Sequence, residues 1–122
     1  MKPSLKSCLT ASVLTAMFGI IPFQAAVAAD GASALEKGKA LAFNRTKGNC
    51  LACHHIAGGE LAGTIAPPLV AMKSRFPDKA ALRAQIWDAT KHNPNTIMPP
   101  FGKHRILSEK EIDLVTDFIY SL

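Results

Sequence analysis

Apolar positions recur with a helical period in several stretches of this chain, separated by two long connections rich in glycine or proline. Leu35, Gly38, Leu41 and Ala42 share one face of a helix expected from Ser33 to about Phe43 or Asn44, with Phe43 at its edge. Ser33-Ala34-Leu35-Glu36 has the form of a capping box, which would start that helix. Gly38 inside it costs about 1 kcal/mol relative to alanine. It is either simply tolerated or lets another helix approach closely, and the large residues of the last helix favour close approach. Leu69 to Phe76 reads as a short helix stopped by Pro77. Asp78 caps a longer one from Lys79 to about His92, with Leu82, Ile86 and Ala89 on its apolar face and Trp87 beside it, packed in the core or against whatever the core encloses. A second capping box, Ser108 to Glu111, opens the final helix, where Ile112, Val115, Ile119 and Leu122 share a face flanked by Leu114 and Phe118. Its acidic residues Glu109, Glu111 and Asp113 lie at the end where the helix dipole favours them. The pattern is that of an all-α fold.

The chain begins differently. Lys2 and Lys6 precede a mostly apolar run from Cys8 to Pro22, which ends in Ala25-Ala26-Val27-Ala28-Ala29 before Asp30. This is the layout of a secretory signal peptide over residues 1–29, with cleavage after Ala28 or Ala29. A retained anchor is the alternative, but Pro22 and Gln24 interrupt a run already short for a bilayer span, so no membrane span is expected once the leader is removed. Residues 30–122 then form one small domain, marginal in core size unless a large apolar group completes it. That part carries twelve basic and nine acidic residues, a net of +3. Basic residues are scattered and aromatics few, which argues against a nucleic-acid binder.

The candidate chemistry centres on Cys50-Leu51-Ala52-Cys53-His54. A C-x-x-C-H pentapeptide is the pattern of covalent c-type haem attachment. Two thiols in one tight turn can each add to a haem vinyl group, and the following imidazole can then reach the iron. A thioredoxin-like redox pair is expected at a helix start after a strand, whereas this motif follows a helical stretch that ends at Lys47-Gly48-Asn49. A zinc site needs a second Cys or His pair at regular spacing, and none is present. Cys8 departs with the leader, so Cys50 and Cys53 are the only cysteines of the domain, and it is no disulfide scaffold.

Two connections would complete the site. The glycine-rich loop from Ala57 to Thr64 ends in Ala66-Pro67-Pro68-Leu69. Its prolines stiffen the backbone and leave carbonyls free to accept, and Pro67 is the candidate acceptor for the outer nitrogen of an iron-bound His54; a plain rigid turn is the alternative. The second connection, His92 to Gly102, is extended and pinned by Pro94, Pro99 and Pro100. It carries Met98, which lies 44 positions after His54 and could supply a thioether as sixth ligand. Core packing is the commoner role of a methionine. His92 and His104 stay open as alternative ligands, while His55 follows the proximal ligand too closely and Met72 sits in a helix.

Taken in order over residues 30–122, helix, C-x-x-C-H, proline loop, Met-Pro-Pro and a closing helix with Phe118 and Tyr120 resemble the class I cytochromes c. A narrower resemblance, to the SoxX family, is carried by Gly48 to His54, by Arg75-Phe76-Pro77-Asp78 and by Asn93 to His104; Ala66 departs from it where glycine often precedes the proline. The resemblance implies a small helical domain around one covalent haem c, with Cys50 and Cys53 as attachments and His54 and Met98 as axial ligands. SoxX is the monohaem subunit of the periplasmic SoxAX complex, an L-cysteine S-thiosulfotransferase that couples thiosulfate oxidatively to a cysteine of the SoxYZ carrier. It further implies a SoxA-like haem subunit as heterodimer partner, with catalysis on that partner, transient meetings with SoxYZ, and electrons passed to a soluble downstream cytochrome. The alternative is a free-standing periplasmic monohaem shuttle of the same fold, and a thiol or haem enzyme is a further rival.

Overall fold

A computed structural model describes the backbone of residues 25–122 and side chains from Ser33 onward. The expected leader therefore lies outside the described residues, apart from the backbone of 25–29. All regular structure among the described residues is helical: α1 (Ala25–Phe43), a 3-10 turn (Cys50–Ala52), α2 (Met72–Arg75), α3 (Lys79–Trp87), a second 3-10 turn (Ala89–Lys91) and α4 (Glu109–Tyr120). None of these helices is long and apolar enough to cross a membrane.

The α4 helix is the centre of the packing, with α1 against one side and α3 against another. Its Ile112, Val115, Phe118 and Ile119 are all buried, each contributing about 1.5–3 kcal/mol by leaving water. Close approach of α1 depends on Gly38, because a Cβ there would stand 2.1 Å from the Leu114 carbonyl oxygen and 2.9 Å from Phe118 Cβ. Of the two readings of Gly38, the structure selects the second. One turn further along, Phe43 meets Phe118 edge-on, with ring centroids 5.9 Å apart.

The second capping box forms as expected. Glu111 accepts from the Ser108 amide at 2.8 Å, and the Ser108 hydroxyl accepts from the Glu111 amide at 3.3 Å. Glu111 also pairs with Lys47 at 2.9 Å, which ties α4 to the turn after α1. The Ser108 amide, then Lys47, hold the Glu111 carboxyl down to about 2. Arg83 bridges α3 to Glu109 and Asp113 of α4, and Lys79 reaches Asp117 at 2.6 Å. Such partly exposed pairs set register more than they stabilise.

Two expected boundaries are corrected. Ser33 does not cap α1 but lies within it, because the alanine-rich segment before it has high helix propensity and carries the helix back to Ala25. The helix after Asp78 ends at Trp87 rather than near His92. Asp88 leaves helical geometry, and its buried carboxylate accepts from the Thr90 amide at 3.1 Å to start a new turn. Lys103 reaches the same carboxylate at 3.3 Å, joining this turn to the chain beyond Pro100. Hydrogen bonds from Thr90, with Lys103, hold Asp88 below the usual carboxylate range.

Candidate haem site

Gly48 and Asn49 turn the chain from α1 into the cysteine motif. Gly48 is pressed so closely on α1 that a Cβ would lie 2.8 Å from the Leu41 carbonyl oxygen, and Asn49 takes the left-handed conformation at φ 47°, which asparagine tolerates better than most residues. The next residues coil into a tight turn closed by the His54 amide donating to the Cys50 carbonyl at 2.9 Å. Cys50, Cys53 and His54 thereby all border one cavity of about 560 Å³, within the roughly 300–1,000 Å³ usual for cofactor sites.

The glycine-rich loop straps this turn in place. Gly63 donates to the Leu51 carbonyl at 2.7 Å, Ala66 to Cys53 at 3.1 Å and Leu69 to His55 at 2.9 Å. Gly63 lies directly on the Ala52 carbonyl, which a Cβ would meet at 2.2 Å. Ala66 has no positive φ, so alanine serves at this position without strain. The strap sets the Pro67 carbonyl oxygen 2.7 Å from His54 Nδ1. A carbonyl can only accept, so the ring proton belongs on Nδ1, and Nε2 is left with its lone pair available to a metal.

Among the described residues, His54 is the one histidine on the cavity wall; His55, His92 and His104 are exposed and away from it. Two thioethers border the cavity, Met98 and Met72. Met72 is 1% exposed in α2, with Arg75 Nη1 3.6 Å from its sulfur. Met98 is half-buried, its amide donating to Thr96 Oγ1 at 3.1 Å and its sulfur 4.0 Å from Gln85 Nε2. The inner wall is apolar, built from Leu82, Ile86, Phe101, Leu107, Val115 and Ile119. Ile65 and Ile97, both more than half exposed, stand at its mouth, and Arg45, Lys47 and Arg75 are the cations that border it. Trp87 is packed outside the cavity wall, over Gly102 and under the Arg83 guanidinium at 5.6 Å.

The chemistry of this donor set decides between the readings of the pentapeptide. Burial pushes the Cys50 thiol up to about 11, whereas a reactive redox cysteine needs a lowered value. No group of three or more His, Cys, Asp or Glu that could hold a metal ion occurs among the described residues, so a zinc cluster has no ligands to complete it. An apolar cavity bordered by two thiols, one imidazole with a free Nε2, two thioethers and a few rim cations does fit a haem. The contacts of Gln85 and Arg75 escape a reading of the sequence alone, although Arg75 belongs to the stretch that carries the narrower resemblance. Gln85 carried one signal, an amide at core spacing between Leu82 and Ile86 on an otherwise apolar helix face. Arg75 donates to the Pro68 carbonyl at 2.7 Å, next to the carbonyl that holds His54, a contact with no sequence signal.

The cytochrome c family model matches residues 35–122. No curated protein matches the chain. Among solved structures, SoxXA from P. pantotrophus is similar at 29% identity and a TM-score of 0.64, over 70% of this chain and 79% of that one.

Proposed function

Given that this chain belongs to the cytochrome c family and transfers electrons on a covalently bound haem c, we propose that it is a SoxX-like subunit of a periplasmic thiosulfate-oxidising complex. The observation that carries this finer reading is the similarity to SoxXA at 29% identity over 70% of the chain, beyond what a shared helical fold alone requires. On this reading residues 1–29 direct export and are removed, and residues 30–122 are the working domain. A SoxA-like haem subunit is the stable partner and holds the catalytic centre, and SoxYZ is met transiently.

Haem, when bound, supplies a one-electron couple. Cys50 and Cys53 would hold it by thioether bonds. His54 is aimed by the Pro67 carbonyl 2.7 Å from its Nδ1, an outer contact that both orients an imidazole and strengthens it as a ligand. Met98 offers a soft sulfur, which favours the reduced state relative to a second histidine. The apolar wall of Leu82, Ile86, Val115 and Ile119 would shield one side of a bound haem from water. His54 and Met98 are the residues that would hold the iron, which would leave no ligand position for substrate and would suit electron relay while the partner performs the coupling.

The test is to tag the chain in its host grown on thiosulfate, purify it without detergent and stain a denaturing gel for haem. A second haem-bearing band in fixed ratio, with thiosulfate-dependent reduction on adding SoxYZ, supports the subunit reading. A lone haem band points instead to a free-standing periplasmic shuttle.

A further inference from the structure

The loop that carries Met98 is tied to other elements by backbone hydrogen bonds at its ends. Among the described residues, 94–99 make no backbone hydrogen bond outside their own loop; the Thr96 amide donates to the Asn93 carbonyl at 3.1 Å, and the Met98 amide to Thr96 Oγ1 at 3.1 Å. Both ends of the loop converge on Trp87-Asp88, where α3 stops. At the entrance, one Asp88 oxygen accepts from the Thr90 amide at 3.1 Å and from the Thr90 hydroxyl. At the exit, the other oxygen meets Lys103 Nζ at 3.3 Å, and the Trp87 carbonyl accepts from the Gly102 and Lys103 amides at 3.1 and 3.3 Å. Gly102 lies directly on the indole, where a Cβ would stand 2.0 Å from Cε3. The Asp88 side chain is 4% exposed, and a carboxylate so placed is costly to keep without partners. One buried carboxylate thus joins the two ends of the loop.

We propose that Asp88 is a positioning residue for the sixth ligand: by tying the loop's entrance to its exit, its carboxylate keeps the Met98 sulfur at the iron against competing ligands. The proposal rests on the reading of Met98 as that ligand. Closing a loop costs chain entropy, and contacts at its base offset that cost before the apex binds anything. With the base closed, the thioether is presented at high effective concentration. With the base open, the loop swings away and the sixth position is free to an outside ligand. The two states differ in whether Lys103 lies on Asp88, so this contact shifts their populations by its differential strength. An outside ligand binds only the open form, and its apparent affinity scales with the open fraction.

The experiment is a titration of the ferric holoprotein with imidazole, read from the haem absorbance. It compares wild type with Asp88→Asn, Lys103→Met, the double variant and Lys103→Arg. Gly38→Ala serves as a protein weakened elsewhere in the fold, and Met98→Ala as the fully open reference. The Lys103 side chain is 55% exposed, so Lys103→Met folds whether or not Asp88→Asn does. Asp88→Asn and Lys103→Met are each expected to bind imidazole roughly tenfold more tightly than wild type, because loss of a charged hydrogen bond at the base enlarges the open fraction. The double variant should add little to either single one, since both remove the same contact. Lys103→Arg keeps the charge and should stay near wild type. Wild-type affinity in Lys103→Met, or an equal gain in Gly38→Ala, overturns the role of Asp88 while leaving Met98 as the ligand. A Met98→Ala protein that binds imidazole no more tightly than wild type overturns both.

Discussion

Replacing Gly38 with alanine tests the helix packing on which the haem cavity is built. The new Cβ would lie 2.1 Å from the Leu114 carbonyl oxygen and 2.8 Å from its carbonyl carbon, both backbone atoms that no rotamer change can move aside. Restoring van der Waals contact requires α1 and α4 to separate by about 1 Å, which forfeits a quarter to a half of the dispersion energy at each affected contact. Overpacking of this kind costs about 1–3 kcal/mol, and a clash with backbone belongs at the top of that range. Helix propensity works the other way, since alanine gains about 1 kcal/mol over glycine. The expected net loss is about 2 kcal/mol, or roughly 8–16 °C in Tm for a domain of this size. Guanidinium unfolding of the holoprotein, followed by far-UV circular dichroism with the slope held to the wild-type value, measures it. A Gly38→Ala protein as stable as wild type, or more so, would refute the close α1–α4 contact, because propensity alone predicts a gain.

Other expectations concern the ligand and the pH response. Met98→Ala opens the sixth position, so the ferrous protein should acquire carbon monoxide affinity and lose its sulfur–iron charge-transfer band; an unchanged spectrum without new ligand binding counts against Met98. Glu111 has its folded-state pKa depressed from 4.5 to about 2, chiefly by the Ser108 amide and then by Lys47. Its contribution is fully present above about pH 4.5 and is lost as pH falls through 2. With the pair partly exposed, that contribution is on the order of 1 kcal/mol after screening. Glu111→Gln should therefore be the less stable protein at pH 6, with the gap closing toward pH 2 in parallel urea titrations; a constant gap would mean that charge plays no part in the cap.

What could be read from the sequence is what is local in the chain. The thiols and imidazole of Cys50, Cys53 and His54 fall within five residues, and the Ser108–Glu111 box within four, so backbone geometry over one or two turns determines both. Gly38 was legible because a glycine at core spacing in a helix is costly unless something fills its place. Ser33 misled, because the same box placed after an alanine-rich segment competes with simple continuation of the helix. Asp88 was read as part of a longer helix, although aspartate can equally cap a new turn, and its buried pairing with Lys103 decided the matter. Gln85 and Met98 approach across a loop whose path only the folded chain sets, and no spacing rule along the sequence anticipates a 4.0 Å contact between them.

The most direct test of the account is the intact mass of the purified exported protein under denaturing conditions, after treatment with a thiol-alkylating reagent. Covalent haem on Cys50 and Cys53 predicts a chain heavier by one haem, haem stain that survives denaturation, and no alkylation at either cysteine. A haem-free mass with both cysteines alkylated would contradict it, and would return the pair to ordinary thiol chemistry.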